Sequence, residues 1–297
     1  MPADIVPTQP APADRSGGVI HDIGYQRYSG SRLGRGYASR ALYVHSLRTA
    51  FGLGRSAKAK IFPWLVVGLV FVVAMVAVAV RAESNQVVLS YLQFTDTIGL
   101  PLLLFLAVVA PELVSRDLRS RVLPLYFSRP LRRDDYALAK LAAMTSAFWL
   151  LLAAPQLLML IGGVFSRKDG FGGAMDEVMD FLGGIGYAAI VAIVFSSLGI
   201  LLASLSGRRA VSAAVVAAVY LVTTPVAAVL QTLGGTVGKI APVINPIDLV
   251  EGLEAWLYHR STGIDIGNHG YLYLIVAVVL VAVYVTLLLV RYRKVAA

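Results

Sequence analysis

The chain has 297 residues, of which 58% are apolar and 14% charged, where an ordinary soluble domain has about 45–50% and ~25%. Seventeen acids and 26 bases are too few to cover a soluble surface of this size, and the mean hydropathy of +0.74 agrees. That argues against a soluble enzyme or an isolated nucleic-acid-binding domain, and the absence of cysteine removes disulfides, thiolate metal sites and cysteine nucleophiles together.

Residues 1–18 are rich in Pro, Ala, Asp and Gly and are expected to be disordered. A basic segment follows over 19–60, with Tyr, Arg and Gly interleaved from Gly24 to Gly36. Within it Tyr37, Ala41, Val44, Leu47 and Phe51 recur at three- and four-residue steps, flanked by Arg40 and Arg48. This spacing predicts an amphipathic helix on the inner membrane surface, the alternative being a solvated basic linker.

A helix needs about 20 apolar residues to cross a ~30 Å hydrocarbon core. Six runs qualify within 61–291: Ile61 to Val80, Gln93 to Val114, Leu141 to Val164, Phe181 to Leu205, Ala210 to Gln231 and Tyr271 to Val290. The expected fold is therefore all-α, an integral membrane protein of six transmembrane helices. Six spans put both termini on one side. Counting Lys and Arg, the stretch to Lys60 holds nine, 112–140 seven, Arg208-Arg209 two and the C-terminal tail three, while the alternate connections hold five. That asymmetry predicts cytoplasmic termini in a multi-pass protein of the cell membrane. Sixty polar and basic residues precede the first run, which is expected to act as an uncleaved anchor. The pI near 9.8 then reflects orientation and attraction to anionic membrane lipid, not nucleic acid.

The outer connection 232–270 carries Asn245-Pro246, an N-cap followed by proline at the first helical position. Beyond it Leu249, Val250, Leu253, Trp256 and Leu257 share one face, and Asp248, Glu251 and Glu254 the other. This helix would lie on lipid or pack on the spans. Residues 292–297 form a short inner tail.

No catalytic or metal-binding motif is visible. Gly234 to Ile240 fails as a phosphate loop, because Leu233 stands where a glycine is required and Ile240 where a Ser or Thr is required. His21, His45, His259 and His269 form no zinc-binding pair, no Gly-x-Ser-x-Gly elbow occurs, and no cofactor is implied. Ionisable residues inside the spans are nearly absent: Asp96 and Glu112 sit near opposite edges of the second run. Gln156 beside Pro155, Ser196-Ser197, and Thr223-Thr224 beside Pro225 are the other polar marks, serving helix kinks or lining a route.

The connection 112–140 is far longer than a turn requires. Glu112, Arg116, Asp117, Arg119 and Arg121 alternate with Leu113, Leu118, Val122, Leu123 and Leu125, then Pro130, Arg133 and Lys140 follow. With six spans, this segment resembles the permease subunits of type-2 ABC exporters. There the cytoplasmic segment after the second span reads acid, Gly-Thr, Leu-rich residues, Pro, base, and Gly-Lys opening the third span. Asp117 falls on the acid, Pro130 on the proline, Arg133 on the base and Lys140 on the lysine. Arg121-Val122 replaces Gly-Thr, and Ala139 replaces the glycine before Lys140. The entry segment from Ile20 to Arg35 is similar to that of actinobacterial members, and the resemblance covers roughly 61–290.

The resemblance implies a non-enzymatic subunit that docks an ATP-binding cassette ATPase through Glu112, Arg116, Asp117, Arg119, Arg121 and Arg133. It also implies a second permease copy, with the second and fifth spans facing each other. Pro101, Thr223, Thr224 and Pro225, the proline-marked sites of those spans, are then the expected route, and export of a lipid or drug-like cargo the expected activity. The alternative is a stand-alone secondary transporter or channel, with Asp96 as its coupling residue.

Overall fold

A computed structural model describes residues 30, 33–84, 86–128, 130–166 and 170–294. The expected disordered tail, nearly all of the segment before Gly34, and Arg129, Arg167 and Lys168 lie outside them. The chain divides into two units, Met1–Leu33 and Gly34–Ala297, and the helices of the described residues all belong to the second.

The described residues are helical, with no strand. In chain order the helices are α1 (Arg35–Ala50), α2 (Ala57–Ser84), α3 (Tyr91–Thr97), α4 (Gly99–Arg119), α5 (Leu123–Phe127), α6 (Arg133–Ser166), α7 (Gly170–Ser204), α8 (Arg209–Gln231), α9 (Gly235–Ile240), α10 (Pro246–Leu257) and α11 (Gly270–Lys294). A 3-10 turn, Ala241–Ile244, joins α9 to α10. Six helices (α2, α4, α6, α7, α8 and α11) are long and apolar enough to cross a membrane, as in a multi-pass membrane protein. With 34 and 35 residues, α6 and α7 reach about 50 Å, well beyond a hydrocarbon core. They therefore absorb much of what the charge pattern assigns to loops: α6 begins at Arg133, and α7 begins at Gly170.

Packing ranks the spans. In their most apolar windows 61% of α4 and 67% of α7 is buried, against 17% of α8 and of α11. The central pair fits closely: a Cβ on Gly199 would fall 2.5 Å from Leu106 Cδ1, so glycine lets α7 approach α4. Around it Phe105, Phe148, Phe195 and Tyr220 form a chain of ring contacts through the core.

Two local readings change. The second apolar run is not one helix from Gln93: α3 ends at Thr97, Ile98 departs from helical geometry, and α4 begins at Gly99. Ser90 caps α3, accepting from the Gln93 amide while the Gln93 side chain accepts from the Ser90 amide. In α1, the stripe of Tyr37, Ala41 and Val44 faces outward, whereas Leu42, Ser46 and Ala50 are buried. The helix packs against α6 and α4, and Tyr43 donates to Ser146 Oγ at 2.9 Å.

Candidate functional site

At one end of the bundle meet α1, the α4–α6 connection, the α7–α8 turn and the end of α11. Glu112, buried in the C-terminal part of α4, is the hub of this basic end. Arg55 of the α1–α2 link and Arg209 at the start of α8 pair with its carboxylate, and Arg116, one turn on, lies 3.7 Å away. Burial first, and then Arg116, lower the Arg55 guanidinium pKa, as expected of cations crowded around one acid. Asp117 forms the second knot: it accepts from the buried Lys140 ammonium at 2.8 Å and from Tyr136 Oη at 2.8 Å. Arg35 pairs with Asp135, and Arg293 with Asp134, so α1 and α11 are both clamped to the start of α6.

The connection is more helical than its length implies. α4 continues to Arg119, and α5 follows after Ser120, Arg121 and Val122. Of the six expected docking residues, Glu112 and Asp117 are engaged inside the chain, while Arg116, Arg119 and Arg121 are exposed. Arg133 donates to the Arg293 carbonyl at 2.6 Å and lies over the Phe127 ring. Glu112, Arg116 and Asp117 also line a cavity of about 1030 Å³ between α1 and α4–α5, opposite the outward stripe of α1. Arg40, Arg48, Arg55 and Lys140 give its wall an excess of positive charge.

Arg121 adopts φ 51°, a left-handed conformation that costs a residue with a Cβ about 1–2 kcal/mol. Arg121→Gly is expected to raise stability by about 0.5–1 kcal/mol, part of the relief being returned to the more flexible unfolded chain. Thermal unfolding in detergent reads this, and a lowered midpoint would show that the side chain, not the turn, matters there.

The expected route residues lie apart. Pro101 falls in the first turn of α4, where its missing amide removes no bond within the helix, so it starts the helix and does not interrupt it. Likewise α8 runs unbroken through Pro225. Thr223 and Thr224 donate to the carbonyls of Val219 and Tyr220 at 2.7 and 2.8 Å and adjoin Asn245, the cap of α10. Gln156 donates to Thr95 Oγ1 at 3.1 Å and Ser197 to the Val194 carbonyl at 2.9 Å. Gln156 thus ties α6 to α3, while the Ser197, Thr223 and Thr224 bonds close on carbonyls of their own helices.

At the opposite end, α10 forms as its cap predicts, the Asn245 side chain accepting from the Ile247 amide. It packs on α11 and α7, which resolves the alternatives left by the sequence. Part of its acidic face is covered as well: Asp248 and Glu251 are half-buried, and Glu254 is 1% exposed. Arg81 grips Glu177 with two bonds, and Tyr91 Oη donates to the same carboxylate at 2.6 Å. Beside them Tyr187 donates to Asp96 at 2.9 Å, the Asp96 carboxyl meets that of Glu254, and Arg260 reaches Glu254 at 3.1 Å. Neither Glu254 nor Glu177 stood out in the sequence, because their partners come from distant helices. No protein-family model matches this chain, and no curated protein does either.

Proposed function

We propose that the chain is the membrane-spanning permease subunit of an ATP-driven transporter, built like a type-2 ABC exporter and energised by a separate ATPase. The supporting observation is the basic end: a cavity of about 1030 Å³ with positively charged walls, bordered by the helical connection that carries the family-like pattern. A partner element with an acidic tip and an apolar flank would fit between the outward stripe of α1 and α5. Because Glu112, Asp117 and the Asp134 and Asp135 pairs fasten α4, α6, α8 and α11 together there, a push on the cavity would be transmitted as rigid motion of whole spans.

A second copy is expected to complete the route. The exposed residues Leu100, Leu104 and Val108 of α4, and Val222, Val226 and Val229 of α8, form stripes that nothing among the described residues covers. With termini in the cytoplasm, the cavity would face the cell interior, and a pathway poor in charge fits a lipid or other amphipathic cargo.

Changing Arg119 and Arg121 together to Glu is expected to abolish ATPase binding with the fold intact, since both side chains are exposed and stand outside the Glu112 cluster that Arg116 joins. Binding of the purified ATPase to the chain in nanodiscs, read beside the unfolding midpoint, is the test. Undiminished binding would remove the basic end as the docking surface. The alternative, a stand-alone transporter with a titratable coupling group, draws its support from Asp96, which the fold brings against Glu254.

A further inference from the structure

We propose that Asp96 and Glu254 bind one proton between them, and that this proton fastens α10 to α3 and α7 at the end opposite the termini. The geometry requires a donor that the protein does not supply. Glu254 Oε1 accepts from Arg260, but its buried Oε2 has no hydrogen-bond donor among the described residues. The Asp96 carboxyl lies within hydrogen-bonding reach of the Glu254 side chain, and two carboxylates present only acceptors to each other. The contact becomes a hydrogen bond when one of them carries a proton. Asp96 is surface-exposed while Glu254 is 1% exposed, so the outer acid offers the inner one a way to exchange protons with solvent.

The surroundings do not neutralise two charges. From α7 comes Tyr187, a neutral donor already bonded to Asp96. From α10 come Glu251, which accepts from the Gly263 amide, and Asp248, which is bonded to Asn245 and Gln231. From the turn after α10 come Tyr258, bonded to the Gly183 carbonyl, and Arg260, shared between Glu254 and Ser90 Oγ. The neighbouring hollow of about 270 Å³ brings Arg81, which is held by Glu177, and Asp180. One shared guanidinium faces the pair, and Glu251 adds a further negative charge. Burial first, and Asp96 second, accordingly push the Glu254 carboxyl well above its ordinary range.

A carboxyl whose pKa is raised by folding binds its proton more tightly in the folded state. The stability it contributes is complete at pH below the ordinary carboxylate range and is lost as pH rises through the raised value. Alkaline pH should therefore loosen α10 from α3 and α7. The pair would titrate whether or not an ATPase drives the chain.

Infrared spectroscopy of the protein in nanodiscs reads the proton directly. The wild type is expected to show a protonated-carboxyl stretch at neutral pH that fades at alkaline pH, and both Glu254→Gln and Asp96→Asn should remove it. Hydrogen exchange supplies the mechanical readout: opening of α10, corrected for intrinsic exchange, should steepen toward about tenfold per pH unit in the wild type, the limit for one proton. Glu254→Gln, which cannot ionise, should be flat. A wild-type spectrum with no protonated carboxyl at neutral pH, or an exchange slope that survives in Glu254→Gln, would overturn the proposal even if one variant folded poorly.

Discussion

Glu112→Ala is expected to destabilise the chain by about 3–5 kcal/mol, the cost of removing one partner from a buried ion pair. The effect is large because the carboxylate serves Arg55, Arg116 and Arg209 at once. Its loss leaves cations from the α1–α2 link, α4 and α8 facing one another around a vacated position, where burial already disfavours the charge on Arg55. Thermal unfolding in detergent should show a fall of roughly 10 °C. An unchanged midpoint would mean that the three arginines are fully served by water and that Glu112 holds nothing together.

The second large effect concerns Asp117 and Lys140. The Lys140 side chain is 5% exposed, and Asp117 is its counter-ion at 2.8 Å. Asp117→Ala strands a buried ammonium beneath Tyr136, and should also cost about 3–5 kcal/mol. Adding Lys140→Met is expected to restore most of the loss, because replacing both members of a buried pair by apolar groups is often close to neutral. Additive losses in this cycle would show that the two residues act separately. Although the loop pattern assigns Asp117 to a partner protein, in this fold its primary bond is internal, so its variants report on stability before docking. Arg119 and Arg121, exposed and outside the Glu112 cluster, are the side chains suited to probing a partner.

The six long helices were readable because hydrocarbon thickness imposes a length that apolar runs must meet, and α10 was readable because Asn245-Pro246 encodes a helix start within two residues. The α3–α4 break was not, since Ser90 and Gln93 cap a helix inside an apolar stretch whose composition hardly changes across Ile98. The inward face of α1 was hidden for a related reason. Both sides of that helix carry apolar residues, and only α6 decides that Leu42, Ser46 and Ala50 turn inward. At the basic end the sequence marked Glu112 and Asp117 as notable but concealed their partners. Arg55, Lys140 and Arg209 reach them from other elements, and ordinary positive-inside bias already explains a basic residue at each of those places. Glu254 was hidden most completely: its spacing with Asp248 and Glu251 reads as a solvated face until α3, α7 and Arg260 close over it.

The proposed coupling to ATP is tested most directly by purifying the tagged chain from the membrane of the cell that makes it and assaying the eluate for ATP hydrolysis and subunit stoichiometry. The expected result is a complex of two permease chains and two copies of an ATP-hydrolysing subunit, which falls apart when Arg119 and Arg121 are changed to Glu. A chain that purifies without any ATPase and moves its cargo in liposomes containing no other protein would contradict it.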